Sequence, residues 1–123
     1  MPPQPTPDQL MTPILAILTT MLRTTLNALP VNPDATAEET AALRQMVEYA
    51  LTELEPCTPI QAMLASRIIS ADFAVMECFR RSMLPDLPHN HVARYQANVV
   101  RLSRLADATR RELRMLQPAA HLS

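Results

Sequence analysis

Glycine is absent from the 123 residues of this chain. It is the residue that most readily takes positive φ in tight hairpin turns, phosphate-cradling loops and nucleotide-binding fingerprints. Its absence therefore excludes P-loop and Rossmann nucleotide sites. Lysine is absent as well, since all eleven basic residues are arginine, which excludes Schiff-base chemistry on a lysine side chain.

Aromatic residues and cysteines are scarce. Aromatics make up 3% of the chain and tryptophan is missing, although 48% of the residues are hydrophobic. The core must therefore be built from aliphatic side chains and eight methionines, as is typical of packed helices. Cys57 and Cys78 are too few for a disulfide scaffold, and on one helix they would lie about 30 Å apart.

Charge is distributed unevenly along the chain, although the net charge is only −1. Residues 1–56 contain two arginines and seven acidic residues, a net −5, whereas residues 88–123 contain six arginines and two acidic residues, a net +4. Two such chains complement each other when they pair antiparallel under two-fold symmetry. The pattern predicts a homo-oligomer, most simply a dimer.

Amphipathic segments separated by prolines predict an all-α protein of four helices. Thr12-Pro13 indicates the start of the first helix, Thr36 and Thr58 begin capping boxes with Glu39 and Gln61, and Asn90 is the predicted cap of the fourth helix. The predicted helices span residues 13–29, 37–55, 59–84 and 90–117, within a single domain of residues 10–117 that lies between a flexible Pro-rich tail, 1–9, and a second tail, 118–123.

The last two helices are predicted to form a long antiparallel hairpin in a bundle-like fold. At about 1.5 Å per residue they reach about 40 Å, whereas the first two reach about 25–30 Å, so part of the hairpin is expected to stay uncovered. The fourth helix has a heptad seam of Val92, Tyr95, Val99, Leu102, Ala106, Thr109, Leu113 and Leu116. This seam is expected to pack against a helix of the same chain or of a second one. The candidate interaction residues are Val99, Leu102, Leu113 and Leu116.

The third helix is apolar on two sides, which predicts a central position. One stripe contains Ile60, Leu64, Ile68, Ala71, Val75 and Cys78, and the other contains Ile69, Phe73, Met76 and Met83.

Three stretches of the C-terminal half, residues 63–69, 74–85 and 102–104, resemble a group of short uncharacterised bacterial helical proteins. The group has no assigned activity. The resemblance therefore implies a helical hairpin and no catalytic residues.

Arginines on the fourth helix suggest an alternative function. Arg94, Arg101, Arg104 and Arg111 lie opposite the heptad seam, where they can follow the phosphates of DNA or RNA. The alternative is therefore a small nucleic-acid-binding regulator. The competing interpretation is a solvated or internally paired face, in which Asp107 pairs with Arg104, Arg110 and Arg111. On the third helix, Glu77 and Arg81 have the same favourable spacing for an ion pair.

No residue pattern indicates catalysis, a metal or a cofactor. His89 and His91 give two potential metal ligands, fewer than a site requires, and His121 lies in the second predicted tail. The apolar stretch 10–29 contains Arg23 and Asn27, which argues against a membrane span. The sequence predicts a cytoplasmic protein, not an enzyme, that works by self-association or by docking a helical partner.

Overall fold

Four helices make up the computed structural model, which describes residues 7–29 and 32–118 and, within the first helix, side chains from Ala16 onward. They are α1 (Pro7–Ala28), α2 (Ala37–Glu53), α3 (Pro59–Ser82) and α4 (His89–Leu116). The described ranges contain no β-strand. The predicted all-α fold of four helices, with α3 and α4 as a long hairpin, is confirmed.

The first helix begins earlier than predicted. It starts at Pro7, so Thr12-Pro13 lies inside the helix and residues 7–9 are not part of a tail. Proline is favourable at the first helical position because its missing N–H has no partner there. Pro13 removes one further backbone hydrogen bond, but the helix continues to Ala28.

The capping boxes at the starts of α2 and α3 are confirmed on their hydroxyl side. Thr36 Oγ1 accepts a hydrogen bond from Glu39 N at 3.1 Å, and Thr58 Oγ1 accepts one from Gln61 N at 3.2 Å. Gln61 Oε1 reaches back and accepts from Cys57 N at 2.8 Å. The two threonine bonds satisfy amides that the first turn of a helix leaves without partners, and the glutamine bond satisfies the amide just before the Thr58 cap.

The start of α4 differs from the prediction. The helix begins at His89 after Pro88, with no side-chain cap, so Asn90 lies inside the first turn. The carbonyl of Pro88 accepts hydrogen bonds from His91 N at 2.9 Å and Val92 N at 3.1 Å. Hydrogen bonds to the backbone carbonyl of Pro88 are therefore present at this helix start, and the expected side-chain cap by Asn90 is not.

Two left-handed residues shape the connections that follow α2 and α3. Glu55 has φ of 52° and Asp86 has φ of 62°. A non-glycine residue in this region costs about 1–2 kcal/mol. In a chain without glycine, these two acidic residues take the conformation that glycine usually supplies at the end of a helix.

The third helix is central, as predicted. Among the described residues it packs against all three other helices, whereas α4 packs against α3 alone. One buried cluster joins α1, α2 and α3 through Leu22, Leu29, Val47, Leu51, Ala65 and Ile69, and a second joins α3 to α4 through Leu64, Ile68 and Leu113.

Polar contacts fasten the helices at one end of the hairpin. Gln61 is buried, and its Nε2 donates to the carbonyl of Leu116 at 3.0 Å; Gln117 Nε2 donates to the carbonyl of Leu54 at 2.7 Å. These two glutamines join the end of α4 to the start of α3 and the end of α2. We call this end of the hairpin the base, and the end at the α3–α4 connection the tip.

A hydroxyl pair joins α1 to α3. Thr25 is fully buried, and its Oγ1 donates to the carbonyl of Met21 at 2.6 Å and lies 2.6 Å from Ser66 Oγ. Because the threonine hydroxyl has only one proton, Ser66 is the donor in the interhelical bond. The pair fixes the position of α1 along α3.

Candidate interaction surface

The heptad seam of α4 packs on α3 within the same chain over its C-terminal half. Leu113 is 2% exposed and lies in a cluster with Leu64 and Ile68, while Ala106 and Thr109 are buried nearby. Val99 and Leu102 are half-buried, and Leu116 is exposed. Of the four candidate interaction residues, Leu113 is therefore interior to the chain and Leu116 is the most accessible to a partner.

The second apolar side of α3 is buried near the base and exposed near the tip. Ala65 is 0% and Ile69 4% exposed beneath α1 and α2, and Phe73 packs partly against the same cluster. Beyond Phe73 the burial ends, since Met76 is 65% and Met83 82% exposed.

Phe79 extends this exposed surface. It is 52% exposed and lies three residues after Met76 and four before Met83, which places the three side chains on one side of the helix. We call Met76, Phe79 and Met83 the tip stripe. Phe79 belonged to neither predicted stripe; its spacing from Met76 and Met83 is the signal that identifies it.

Coverage by the shorter helices explains where the burial stops. Thr25, near the end of α1, meets Ser66, and Leu29, just beyond the helix, shares a cluster with Ile69. The last third of α3 therefore continues past the end of α1. This agrees with the length difference that the sequence predicts. Ile60, at the opposite end of α3, is also exposed, contrary to its place in the first predicted stripe.

The arginine face of α4, consisting of Arg94, Arg101, Arg104 and Arg111, is exposed along its whole length. Within the described part of the chain, none of these four makes an ion pair. Asp107 pairs with Arg110 at 3.9 Å, and Arg110 also pairs with Asp72 of α3. The expected pairing of Asp107 is therefore confirmed for Arg110 but wrong for Arg104 and Arg111.

Glu77 forms a local ion-pair cluster on α3. Its Oε1 lies 2.6 Å from Arg80 Nη2 and 2.8 Å from Arg81 Nε, so the predicted pair with Arg81 is confirmed and Arg80 joins it. Hydrogen bonds from Arg80 and Arg81 lower the pKa of Glu77 from 4.5 to about 2, and the same contacts raise the pKa of both arginines. The cluster is charged at all physiological pH values.

The histidines and cysteines do not assemble a site in the described residues. His89 and His91 are exposed at the start of α4, and His121 lies outside the described residues. Cys57 is an exposed free thiol before α3, and Cys78 is a half-buried free thiol within α3. No group of three or more His, Cys, Asp or Glu residues comes together in ranges 7–29 and 32–118.

None of the four described helices is long and apolar enough to cross a membrane.

Comparison with known proteins gives no family assignment. No protein-family model, no curated protein and no solved structure matches this chain. The resemblance of the C-terminal half to short bacterial helical proteins stays a prediction.

Proposed function

We propose that this protein acts by self-association, with the tip stripe of one copy in contact with a second copy. The observation that supports this proposal is the change along a single side of α3, from fully buried Ala65 to Met83 at 82% exposure. Three large apolar side chains in one exposed row lose their contact with water when a second surface covers them. The proposal includes no catalytic step.

A second copy is the partner that fits the stripe. A row of side chains at spacings of three and four on a helix can pack against the same row of another copy across a two-fold axis. The opposite charges of the two halves of the chain, −5 for residues 1–56 and +4 for residues 88–123, also favour pairing between copies. A homodimer satisfies both features.

Sedimentation equilibrium tests the proposal between about 1 and 200 µM, where association free energies of roughly −5 to −8 kcal/mol are resolved. We expect the parent mass to rise toward twice the 13.7 kDa of the chain. The double variant Met76→Glu/Met83→Glu should remain monomeric with unchanged helicity, because four carboxylates would face one another in the dimer.

Met63→Glu is the matched control. Met63 is a methionine of the same helix that is 51% exposed near the base, outside the tip stripe. This variant should associate like the parent. A parent chain that stays at 13.7 kDa throughout the concentration range contradicts the proposal, and a double variant that dimerises normally removes the stripe from the contact.

Binding of DNA or RNA by the arginine face is a second candidate function. It is favoured by the four exposed arginines that have no ion pair among the described residues. Arg94 and Arg111 are separated by about 25 Å along α4, a length over which several phosphates of a nucleic acid can be contacted.

A salt titration of duplex DNA binding tests this candidate. If it is correct, the affinity of the parent falls steeply with salt concentration, and Arg101→Gln/Arg104→Gln/Arg111→Gln lowers the affinity by about 10-fold or more while helicity is retained. Absence of binding by the parent at low salt contradicts it.

A further inference from the structure

Opposite charges are exposed on two helices of the same chain. The α2 helix contains four glutamates and one arginine, a net −3, and α4 contains six arginines and two acidic residues, a net +4 with neutral histidines. On α2, Glu38, Glu48 and Glu53 are exposed; on α4, Arg101, Arg104 and Arg111 are exposed. None of these six side chains makes an ion pair with another described residue.

The two charged surfaces do not meet within one chain. Both α2 and α4 pack against α3, and the described contact between their ends is at the base, where Leu54, just after α2, accepts a hydrogen bond from Gln117. The only described ion pair that joins two helices is Asp72 with Arg110, between α3 and α4. Because these six charged side chains do not pair within the described chain, they are available to pair with another molecule.

We infer that the acidic surface of α2 in one copy docks on the arginine face of α4 in a second copy, so that a two-fold dimer contains this contact twice. This inference rests on the proposed self-association and specifies which surfaces of the two copies are in contact. Under two-fold symmetry, the contact of α2 with the partner's α4 is repeated by α4 with the partner's α2.

The dimensions of the two surfaces agree. Glu38 and Glu53 are separated by about 22 Å along α2, and Arg94 and Arg111 by about 25 Å along α4. Antiparallel or parallel alignment of the two helices therefore brings each end of one charged row within reach of the other. The small difference in length between the two charged rows can be bridged, because arginine side chains are long and can adopt several rotamers.

The surface of α2 also offers apolar contacts to arginine side chains. A shallow depression of about 490 Å³ on α2 is lined by Met46, Tyr49 and Glu53, among others. Met46 and Tyr49 are both exposed. Aliphatic stems of arginine can pack on the methionine while the guanidinium contacts the tyrosine ring and the carboxylate. The depression thus suits arginine better than a compact cation.

Charge exchange between two variants tests the inference. In the first variant, Arg101, Arg104 and Arg111 are changed to Glu; in the second, Glu38, Glu48 and Glu53 are changed to Arg. Each variant alone presents like charges at both α2–α4 contacts, so its self-association should weaken at least about 10-fold in sedimentation equilibrium. An equimolar mixture should restore association, because both contacts between unlike copies are then complementary.

Circular dichroism of each variant establishes that the helices are retained. If Glu38→Arg at the start of α2 lowers the helicity, the neutral variant Glu38→Gln/Glu48→Gln/Glu53→Gln takes the place of the triple arginine variant. Its self-association should still be weaker than that of the parent. Parent association should also weaken as salt rises, because exposed ion pairs are screened.

Three outcomes overturn the inference. If the parent and both charge variants dimerise equally well, these two surfaces are not part of the interface, and the proposed self-association is unaffected. If the parent is monomeric at all concentrations, both the inference and the proposed self-association are wrong. Loss of duplex DNA binding in the arginine variant, with its dimerisation unchanged, assigns the arginine face to nucleic acid instead.

Discussion

The base and the tip of the α3–α4 hairpin have similar apolar spacing but opposite accessibility. At the base, Ile68 and Leu113 are fully buried between the two helices, and Ala65 is fully buried beneath α1 and α2. At the tip, Met76 and Met83 are mostly exposed. The difference shows that the apolar pattern of a helix predicts where it is able to pack, while neighbouring elements determine whether it does.

Polar contacts between helices also differ between the two ends. The base has the bonds from Gln61 to Leu116 and from Gln117 to Leu54, which connect α4 with the start of α3 and with the end of α2. Near the tip, the ion pairs of Glu77 with Arg80 and Arg81 lie within α3, and Arg81 also interacts with Tyr95 of α4. Both ends therefore connect α3 with α4, but among the described residues only the base connects α4 with the end of α2.

The same substitution at the two ends of α3 should produce the largest difference in stability. Ile68→Asp buries an unpaired carboxylate between α3 and α4, and we expect it to destabilise the chain by roughly 4 kcal/mol or more and to unfold it. Met83→Asp leaves its carboxylate in water and should change stability by less than about 0.5 kcal/mol. Circular dichroism and urea unfolding measure both.

Both unfolding measurements belong at low micromolar concentration, so that loss of self-association does not enter the comparison. A well-folded Ile68→Asp chain would show that this side of α3 is a surface.

Truncation of leucines on α4 provides a second comparison. Leu113→Ala creates a cavity beside Leu64 and Ile68, and should cost about 2–4 kcal/mol. Leu105 is 52% exposed, so Leu105→Ala should cost less than about 1 kcal/mol. Chemical denaturation with an unchanged m-value checks both. Equal costs at the two positions would contradict the packing of the seam against α3.

Removal of the glutamine contacts tests the base alone. Gln61→Leu leaves the carbonyl of Leu116 and the amide of Cys57 without their side-chain partner, and we expect a loss of about 1–3 kcal/mol. Gln117 is less buried, so Gln117→Leu should cost about 1 kcal/mol. Hydrogen exchange should quicken at the last turn of α4. Unchanged exchange there in Gln61→Leu would mean that the contact does not hold the helices together.

Acid titration near the tip should give the smallest effect. The pKa of Glu77 is lowered to about 2, so its stabilising contribution is complete above the ordinary value of 4.5 and declines as the pH falls toward 2. Arg80 and Arg81 are largely exposed, so screening by water and salt keeps this contribution small.

The comparison is between parent and Glu77→Gln in urea unfolding at pH 5.5 and at pH 2.5. At pH 5.5 the parent should be more stable than Glu77→Gln, and this difference in stability should shrink at pH 2.5. A difference that does not change with pH would contradict the ion-pair origin.

Sequence reasoning predicted the helices because their starts carry local chemical signals. Thr36 and Thr58 cap α2 and α3 through hydrogen bonds within one turn, so nearby residues suffice to identify them. The predicted start of α1 at residue 13 was wrong, because both Pro7 and Pro13 are compatible with a first helical position. The positive φ of Glu55 and Asp86 also had no clear signal, since glycine usually marks such turns.

The candidate surface was only partly predictable. The excess length of the hairpin predicted that some of it stays uncovered, but not that the exposed row includes Phe79. That assignment depends on where α1 stops along α3, which is fixed by contacts between distant residues such as Thr25 and Ser66. Likewise, the finding that the arginine face makes no ion pair within the described residues could not be predicted, because it depends on where α2 and α4 lie relative to each other.

Methyl spectra of the methionines measure directly whether the tip stripe contacts a second copy, because Met76 and Met83 of the tip stripe and Met63 near the base report on the two ends of the same helix. Two-dimensional ¹H–¹³C spectra are recorded on the parent chain from about 5 to 200 µM, across the range of weak association. We expect the ε-methyl signals of Met76 and Met83 to shift or broaden as the concentration rises, while that of Met63 stays constant. Signals of Met76 and Met83 that do not change with concentration would show that the tip stripe is not a contact between copies.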